Sequence, residues 1–258
     1  MNITDEVMKI AMVFFCYAGD AALLRQALRA VPVLRAAGAE VDVFLCDDAA
    51  APLGVENVPE WVRYYRQTGF YRGGNLNGLP CIEGMVGVYA DIMTVRRYDW
   101  VVKVDCDTYL NSLEWLRGVD AGLFSFVGTV HVNNHASGAC YAVSRCGVEL
   151  LASVMREARW RGAAERGKCE DRVLYNLCRC VGGNVLGRPA RDGRPHPLRL
   201  CHDWELLPRA DFSELRQAAA VDFKRCRWNS EPEQWKQDAV AAVERMKQYA
   251  DYVEGLGR

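Results

Sequence analysis

The sequence predicts an α/β fold with a mainly parallel sheet flanked by helices. Three observations carry this. The first hundred residues alternate short apolar runs with stretches of helical period, the runs are apolar without alternation as doubly buried strands are, and turn residues separate the segments. At 258 residues, half of them hydrophobic, the chain is long enough to bury a full core, and we expect one domain spanning 1–258.

Taking the elements in order, Lys9 to Tyr17 reads as a buried first strand. The run inside it, Ile10 to Ala18, sits where a signal peptide would. It is preceded by Asp5 and Glu6 with only Lys9 basic, and is shorter than the ~20 apolar residues that span a bilayer. Ala21 to Ala37 has helical period and is closed by Gly38, and Val41 to Cys46 forms a second strand ending in Asp47-Asp48, which completes a βαβ beginning. A Gly-rich loop from Tyr71 to Gly78 leads to a helix over Ile82 to Arg96 and then to the strand Trp100 to Val104.

The second half is less regular. It offers apolar segments at Gly122 to Val130 and Ala139 to Val143, helices at Gly147 to Trp160 and Asp171 to Cys178, and a long aperiodic loop from Gly182 to Leu198. Glu231 to Tyr252 reads as an amphipathic helix, with Ser230 and Glu233 spaced as a capping box and Trp235, Val243, Met246 and Val253 on one face. We divide the domain into a first half (1–120), a second half (121–230) and this C-terminal helix (231–258).

Charge and cysteine content exclude several classes. The formal net charge of −1 leaves no overall footprint for nucleic acid or an anionic membrane. The eleven cysteines are odd in number, scattered and often inside apolar runs (Cys16, Cys46, Cys140), which fits reduced buried thiols and a soluble, cytoplasmic protein. No C-x-x-C pair supports a zinc site among Cys169, Cys178, Cys180 and Cys201.

The chemistry is carried by VVKVDCDTYL, Val101 to Leu110. Asp105 and Asp107 stand two residues apart where a buried strand meets solvent. Paired carboxylates there suit Mg²⁺ or Mn²⁺, which keep positions open for phosphate oxygens, and such an ion stabilises a departing diphosphate. A solvated strand-end pair is the alternative. Strand ends would also supply contacts to a nucleotide: Tyr17, Ala18 and Gly19 after the first strand, Asp47 after the second, and Gly74-Asn75-Leu76-Asn77, although each also serves as turn chemistry. Neither G-x-G-x-x-G nor G-x-x-x-x-G-K-[ST] is present.

With an apolar strand before D-x-D, the chain resembles metal-dependent glycosyltransferases of the A fold, most closely the fringe-like β-1,3-glycosyltransferase group. The Gly-rich Ser137-Gly138-Ala139-Cys140-Tyr141-Ala142-Val143-Ser144, the acidic pair Glu170-Asp171 and the late His202 follow in the same order. The resemblance covers roughly Lys9 to Trp204 and lacks the lumenal anchor usual for eukaryotic members. It implies the Rossmann-like nucleotide-diphospho-sugar transferase (GT-A) fold, with residues 1–120 binding the nucleotide-sugar and 121–230 serving acceptor and catalysis.

It also implies transfer of a sugar from a nucleotide-diphosphate donor, a UDP-sugar, to an acceptor hydroxyl with inversion, using Mn²⁺ or Mg²⁺. Asp107 would be the direct metal ligand, Asp105 would touch the ribose or a metal-bound water, Cys106 would lie along the nucleotide, and His202 would complete the metal site. Asp171 would be the general base, with Glu170 its rival, unless the pair only complements a helix dipole. Arg188, Arg191, Arg194 and Arg199 would close over the diphosphate, and Trp204 would stack on a sugar. The acceptor, whether glycan, small molecule, protein or nucleic acid, stays open. The alternatives are a haloacid-dehalogenase-like phosphatase, for which Asp105-Cys106-Asp107-Thr108 is misplaced from the first strand, a nucleotidyltransferase lacking its N-terminal signature, and a noncatalytic nucleotide-sugar or carbohydrate-binding protein.

Overall fold

The structure is a computed structural model that describes residues 7–62, 64–68, 79–130, 136–158, 160–162, 169–186, 200–201, 211–223 and 232–256. Strand β1 (Lys9–Cys16) occupies the middle of the main sheet and is buried along nearly its whole length. It pairs in parallel with β2 (Glu40–Asp48) on one side and with β4 (Trp100–Val104) on the other; β3 (Tyr64–Thr68) adds to β2, again in parallel. Beyond β4 the direction reverses: β7 (Ala136–Ser144) runs antiparallel to β4 and to β6 (Phe124–Val130), and β8 (Asn184–Leu186) closes the edge beside β6. The order is β3-β2-β1-β4-β7-β6-β8, a mixed, mainly parallel seven-stranded sheet.

Alternation along β1 assigns its side chains to two cores. Ile10, Met12, Phe14 and Cys16 face α1 (Ala21–Leu28), α2 (Ala30–Ala36) and the C-terminal helix α7 (Pro232–Gly255). Ala11, Val13 and Phe15 face α3 (Leu79–Val95), α4 (Arg145–Val154) and α5 (Glu170–Cys180). The result is three layers, helix on sheet on helix, with the α/β class expected from the sequence.

Several boundaries differ from the pattern-based expectation. The first helix is two, parted at Arg29, because Pro32 lacks the amide that would continue the ladder back to Leu28. Gly38 ends the second of them at φ 89°, a conformation suited to glycine. The third helix starts at Leu79, three residues before the apolar period, with Pro80 in its first turn where no intrahelical amide is needed. α4 begins at Arg145 because Ser144 caps it, its hydroxyl accepting from the Gly147 amide at 3.2 Å, and it stops at Val154 before Trp160. The expected loop 182–198 contains β8 at its start. Its remainder, with Arg188, Arg191 and Arg194, lies outside the described residues, as do Arg199, Ser230 and the loop 71–78.

A second sheet was not anticipated. Strands β5 (Thr108–Leu110), β9 (Leu200–Cys201) and β10 (Ala220–Asp222) lie in the order β5-β10-β9, with β10 antiparallel to β5 and parallel to β9. A short helix α6 (Phe212–Leu215) leads into β10. Tyr249 of α7 packs edge-on against Tyr109 at 5.3 Å between ring centroids, and its hydroxyl donates to Asn111 Oδ1 at 2.8 Å. The tail helix therefore belongs to the core. No described helix is long and apolar enough to cross a membrane.

Candidate active site

The carboxyl ends of β1, β2 and β4 open on one edge of the sheet, the place where open α/β sheets bind ligands. The antiparallel β7 starts at that same edge, since Val104 pairs with Cys140 and the Asp105 amide donates to the Ala139 carbonyl at 2.9 Å. β4 stops at Val104, the chain turns through Asp105-Cys106-Asp107, and β5 carries it into the small sheet. The Thr108 amide donates to the Asp105 carbonyl at 3.0 Å, and the Asp107 carbonyl accepts from the Phe223 amide at 2.7 Å. These bonds fix the turn at the junction of the two sheets. The D-x-D motif thus follows the fourth strand, away from the end of the first strand where the phosphatase reading requires it.

Asp105 and Asp107 are both partly exposed there. Behind them stands Lys103, the single charged residue of the apolar strand WVVKV and 1% exposed. Its Nζ lies 2.6 Å from Asp105 Oδ1 and 3.3 Å from Glu170 Oε1, donates to the Gly138 carbonyl, and sits 5.6 Å from the centre of the Tyr141 ring. A buried ammonium demands such partners. Reading the sequence missed Lys103 and Gly138 as site residues. The available signal was a lysine inside an otherwise wholly apolar strand, two positions before a carboxylate.

Glu170 and Asp171 form the first turn of α5, whose N-terminus meets the start of β7. A methyl group placed on Gly138 would lie 3.1 Å from Asp171 Oδ2 and 3.4 Å from Glu170 Oε1, so the absence of a side chain permits this approach. Asp171 Oδ1 accepts from the Arg172 amide at 2.6 Å. Both acids also complement the helix dipole, so the structural role expected as an alternative is present too. Burial raises the Glu170 carboxyl above its ordinary range, against the pull of Lys103. Burial likewise raises Asp171, opposed first by the Arg172 amide and then by Lys103. Glu170 is buried at 4% exposure, whereas Asp171 keeps contact with solvent.

The other nucleotide candidates lie at the same edge with unequal access. Tyr17 and Ala18 follow β1, Ala18 exposed and its amide donating to the Ala51 carbonyl at 2.9 Å. The Tyr17 ring covers Gly19 closely enough to leave no space for a β-carbon. Asp47 is enclosed. It is fully buried, its Oδ1 accepts from the Leu53 amide at 2.7 Å, and its Oδ2 accepts from the Gly54 amide at 3.2 Å and from the Tyr65 hydroxyl at 2.5 Å. Both carboxylate oxygens are engaged within the chain, so Asp47 organises the loop after β2. Cys106 is enclosed too: its thiol is buried and donates to the Phe15 carbonyl at 3.6 Å.

Asn75, Asn77, His202 and Trp204 lie outside the described residues; Cys201, next to His202, ends β9 in register with Val221. Among the described residues, no group of three His, Cys, Asp or Glu side chains gathers for a metal.

No protein-family model and no curated protein sequence matches the chain. Solved structures do. A glycosyltransferase involved in the glycosylation of the major capsid of PBCV-1 superposes with a TM-score of 0.55 at 10% identity, over 93% of this chain and 98% of that one. The galactosyltransferase LgtC, in complex with donor and acceptor sugar analogues, gives 0.51 at 14% identity, over 94% and 95%. Near-complete coverage in both directions, together with the mixed seven-stranded sheet, establishes that the chain has the glycosyltransferase A fold.

Proposed function

We propose that the protein is a metal-dependent glycosyltransferase that moves a sugar from a nucleotide-diphosphate donor, a UDP-sugar, to an acceptor hydroxyl with inversion. The observation that carries this reading is the meeting, at the carboxyl edge of a glycosyltransferase A fold, of the Asp105/Asp107 turn with a second acid pair whose more accessible member, Asp171, is pushed towards basicity by partial burial.

The described donor set fits a hard divalent ion. Asp107 offers a partly exposed carboxylate at the turn, while Lys103 engages one oxygen of Asp105, which favours Asp107 as the direct ligand and Asp105 as the partner of a metal-bound water or the ribose. His202 would complete the set. When bound, Mn²⁺ or Mg²⁺ would supply charge stabilisation to the departing diphosphate. Tyr17 and Ala18 border the space for the nucleotide, with the backbone of Cys106 below it.

Asp171 acts as base. Its carboxylate takes the acceptor hydroxyl proton as that oxygen bonds to the anomeric carbon, and the bond from that carbon to the diphosphate oxygen breaks on the opposite face. Glu170, buried against Lys103, is the less accessible member of the pair.

Calorimetry of UDP with and without Mn²⁺, in the wild type and in Asp107→Ala, tests the assignment. Binding that needs both metal and Asp107 is the expected result. UDP binding indifferent to metal, or none at all, would overturn it. The anomeric configuration of the product, read by NMR, tests inversion separately: retention would remove the base role from Asp171.

A further inference from the structure

We propose that Lys103 is a positioning residue that locks the metal-side acids and the general base into one unit. This rests on the proposed glycosyl transfer, because the base and the D-x-D turn are defined by it. Three chain segments meet on a single ammonium: the end of β4 through Asp105 Oδ1 at 2.6 Å, the start of β7 through the Gly138 carbonyl, and the start of α5 through Glu170 Oε1 at 3.3 Å. At 1% exposure the lysine has no solvent to fall back on, so its choice of partners is imposed by the fold.

The geometry passes from Lys103 to Asp171 in two ways. Glu170 precedes Asp171 on the first turn of α5, so holding one carboxylate fixes the helix end that carries the other. Gly138, whose carbonyl Lys103 holds, also lies directly against the Asp171 carboxylate. The node is stiffened from below: Tyr141, under the ammonium, stacks on Phe126 at 5.1 Å and its hydroxyl meets that of Tyr89 at 2.8 Å. The proposed transfer with inversion requires the base and the departing diphosphate to stand on opposite faces of one carbon, and displacement of about 1 Å can cost ~100-fold in rate. A cation shared by both acid pairs fixes that span.

The test compares Lys103→Met and Lys103→Arg with the wild type for kcat, donor KM and thermal stability, counting only folded protein. Arginine keeps the charge, so Lys103→Arg is expected to fold, but its planar fork cannot occupy the same three-way contact. We expect kcat to fall at least tenfold in Lys103→Arg and about 100-fold in Lys103→Met, with donor KM within about threefold of wild type. A purely structural lysine would lower the melting temperature and leave kcat per folded molecule unchanged, and that result in either variant overturns the proposal. If the wild type turns over no nucleotide-sugar, the functional reading fails instead. The lock is then read by amide hydrogen exchange over 136–144 and 169–180. Faster exchange at the first turn of α5 in Lys103→Arg supports the lock, and unchanged exchange overturns it.

Discussion

Asp171 and Asp47 show how two carboxylates at one sheet edge acquire different work. Asp171 is raised by burial yet keeps solvent contact, so it holds a proton to higher pH than an ordinary aspartate and accepts one more readily. The sign for activity follows: as the proposed base, Asp171 would work when ionised, so kcat/KM should fall as pH drops through this raised pKa, on an acid limb above the usual carboxylate range. Glu170 is raised as well, and the limb will report the pair. Asp171→Asn should lower kcat by about 10²- to 10⁴-fold and abolish that limb; a pH–rate profile of both proteins checks it. Asp47 has two backbone amides and the Tyr65 hydroxyl on its oxygens and no exposure. Asp47→Asn replaces one acceptor oxygen by a donor facing groups that also donate, and should cost roughly 1.5–3 kcal/mol in urea unfolding. Nothing in the residue type separates these roles. Asp47-Asp48 at the end of one strand and Asp105-Cys106-Asp107 just after another look alike on paper, and the loop folding back at Leu53 encloses the first.

Among elements, the long apolar ones were legible and the short ones were not. β1, β2 and β4 stand out as apolar runs, broken internally only by Asp42 in β2 and Lys103 in β4, because both faces of the sheet are covered. β3 reads YYRQT, and β5, β8, β9 and β10 have two or three residues each, too few to show a period. These are held by pairing with distant chain, as Val221 is with both Tyr109 and Cys201. Lys103 was marked only by its place in an apolar strand; its partner Gly138 is 35 residues away in sequence, so the contact itself required the fold. The start of α5 is where an element boundary enters the proposed site. Gly138→Ala would place a methyl 3.1 Å from Asp171 Oδ2. Lys103 holds the Gly138 carbonyl and the Asp105 amide holds the Ala139 carbonyl, so much of the adjustment falls on the helix end. We expect a tenfold or greater loss of kcat with unfolding free energy changed by less than about 1 kcal/mol. Equal loss of stability and activity would show that the glycine serves packing alone.

At the scale of the molecule, the junction of the two sheets links the Asp105–Asp107 turn to the tail helix. Asp107 opens the segment that becomes β5, β5 carries Tyr109, and Tyr109 rests on Tyr249 of α7, which also touches Phe212 and Phe223 at 5.5 and 5.6 Å. The tail showed only an amphipathic stripe in sequence; its contact with the Asp107 segment required the fold. Arg29 of the α1–α2 junction anchors the same helix through Asp251 and Glu254, both at 2.6 Å. Because a ligand at Asp107 would bind only the assembled junction, donor binding and global stability must be linked, by RT ln(1 + [L]/Kd). At 100 times Kd this amounts to about 2.7 kcal/mol. UDP with Mn²⁺ should therefore raise the melting temperature of the wild type by several degrees and leave Asp107→Ala unmoved. Tyr249→Phe separates the two sources of stability. It takes the donor from buried Asn111 Oδ1 without touching the site, and should lower unfolding free energy by roughly 1–3 kcal/mol. The UDP·Mn²⁺ increment should survive on that lower baseline, because the linkage depends on affinity for the native state. If the increment vanished in Tyr249→Phe while the protein stayed folded, the tail helix would be shaping the Asp107 turn itself, and the junction would have to be regarded as part of the binding site.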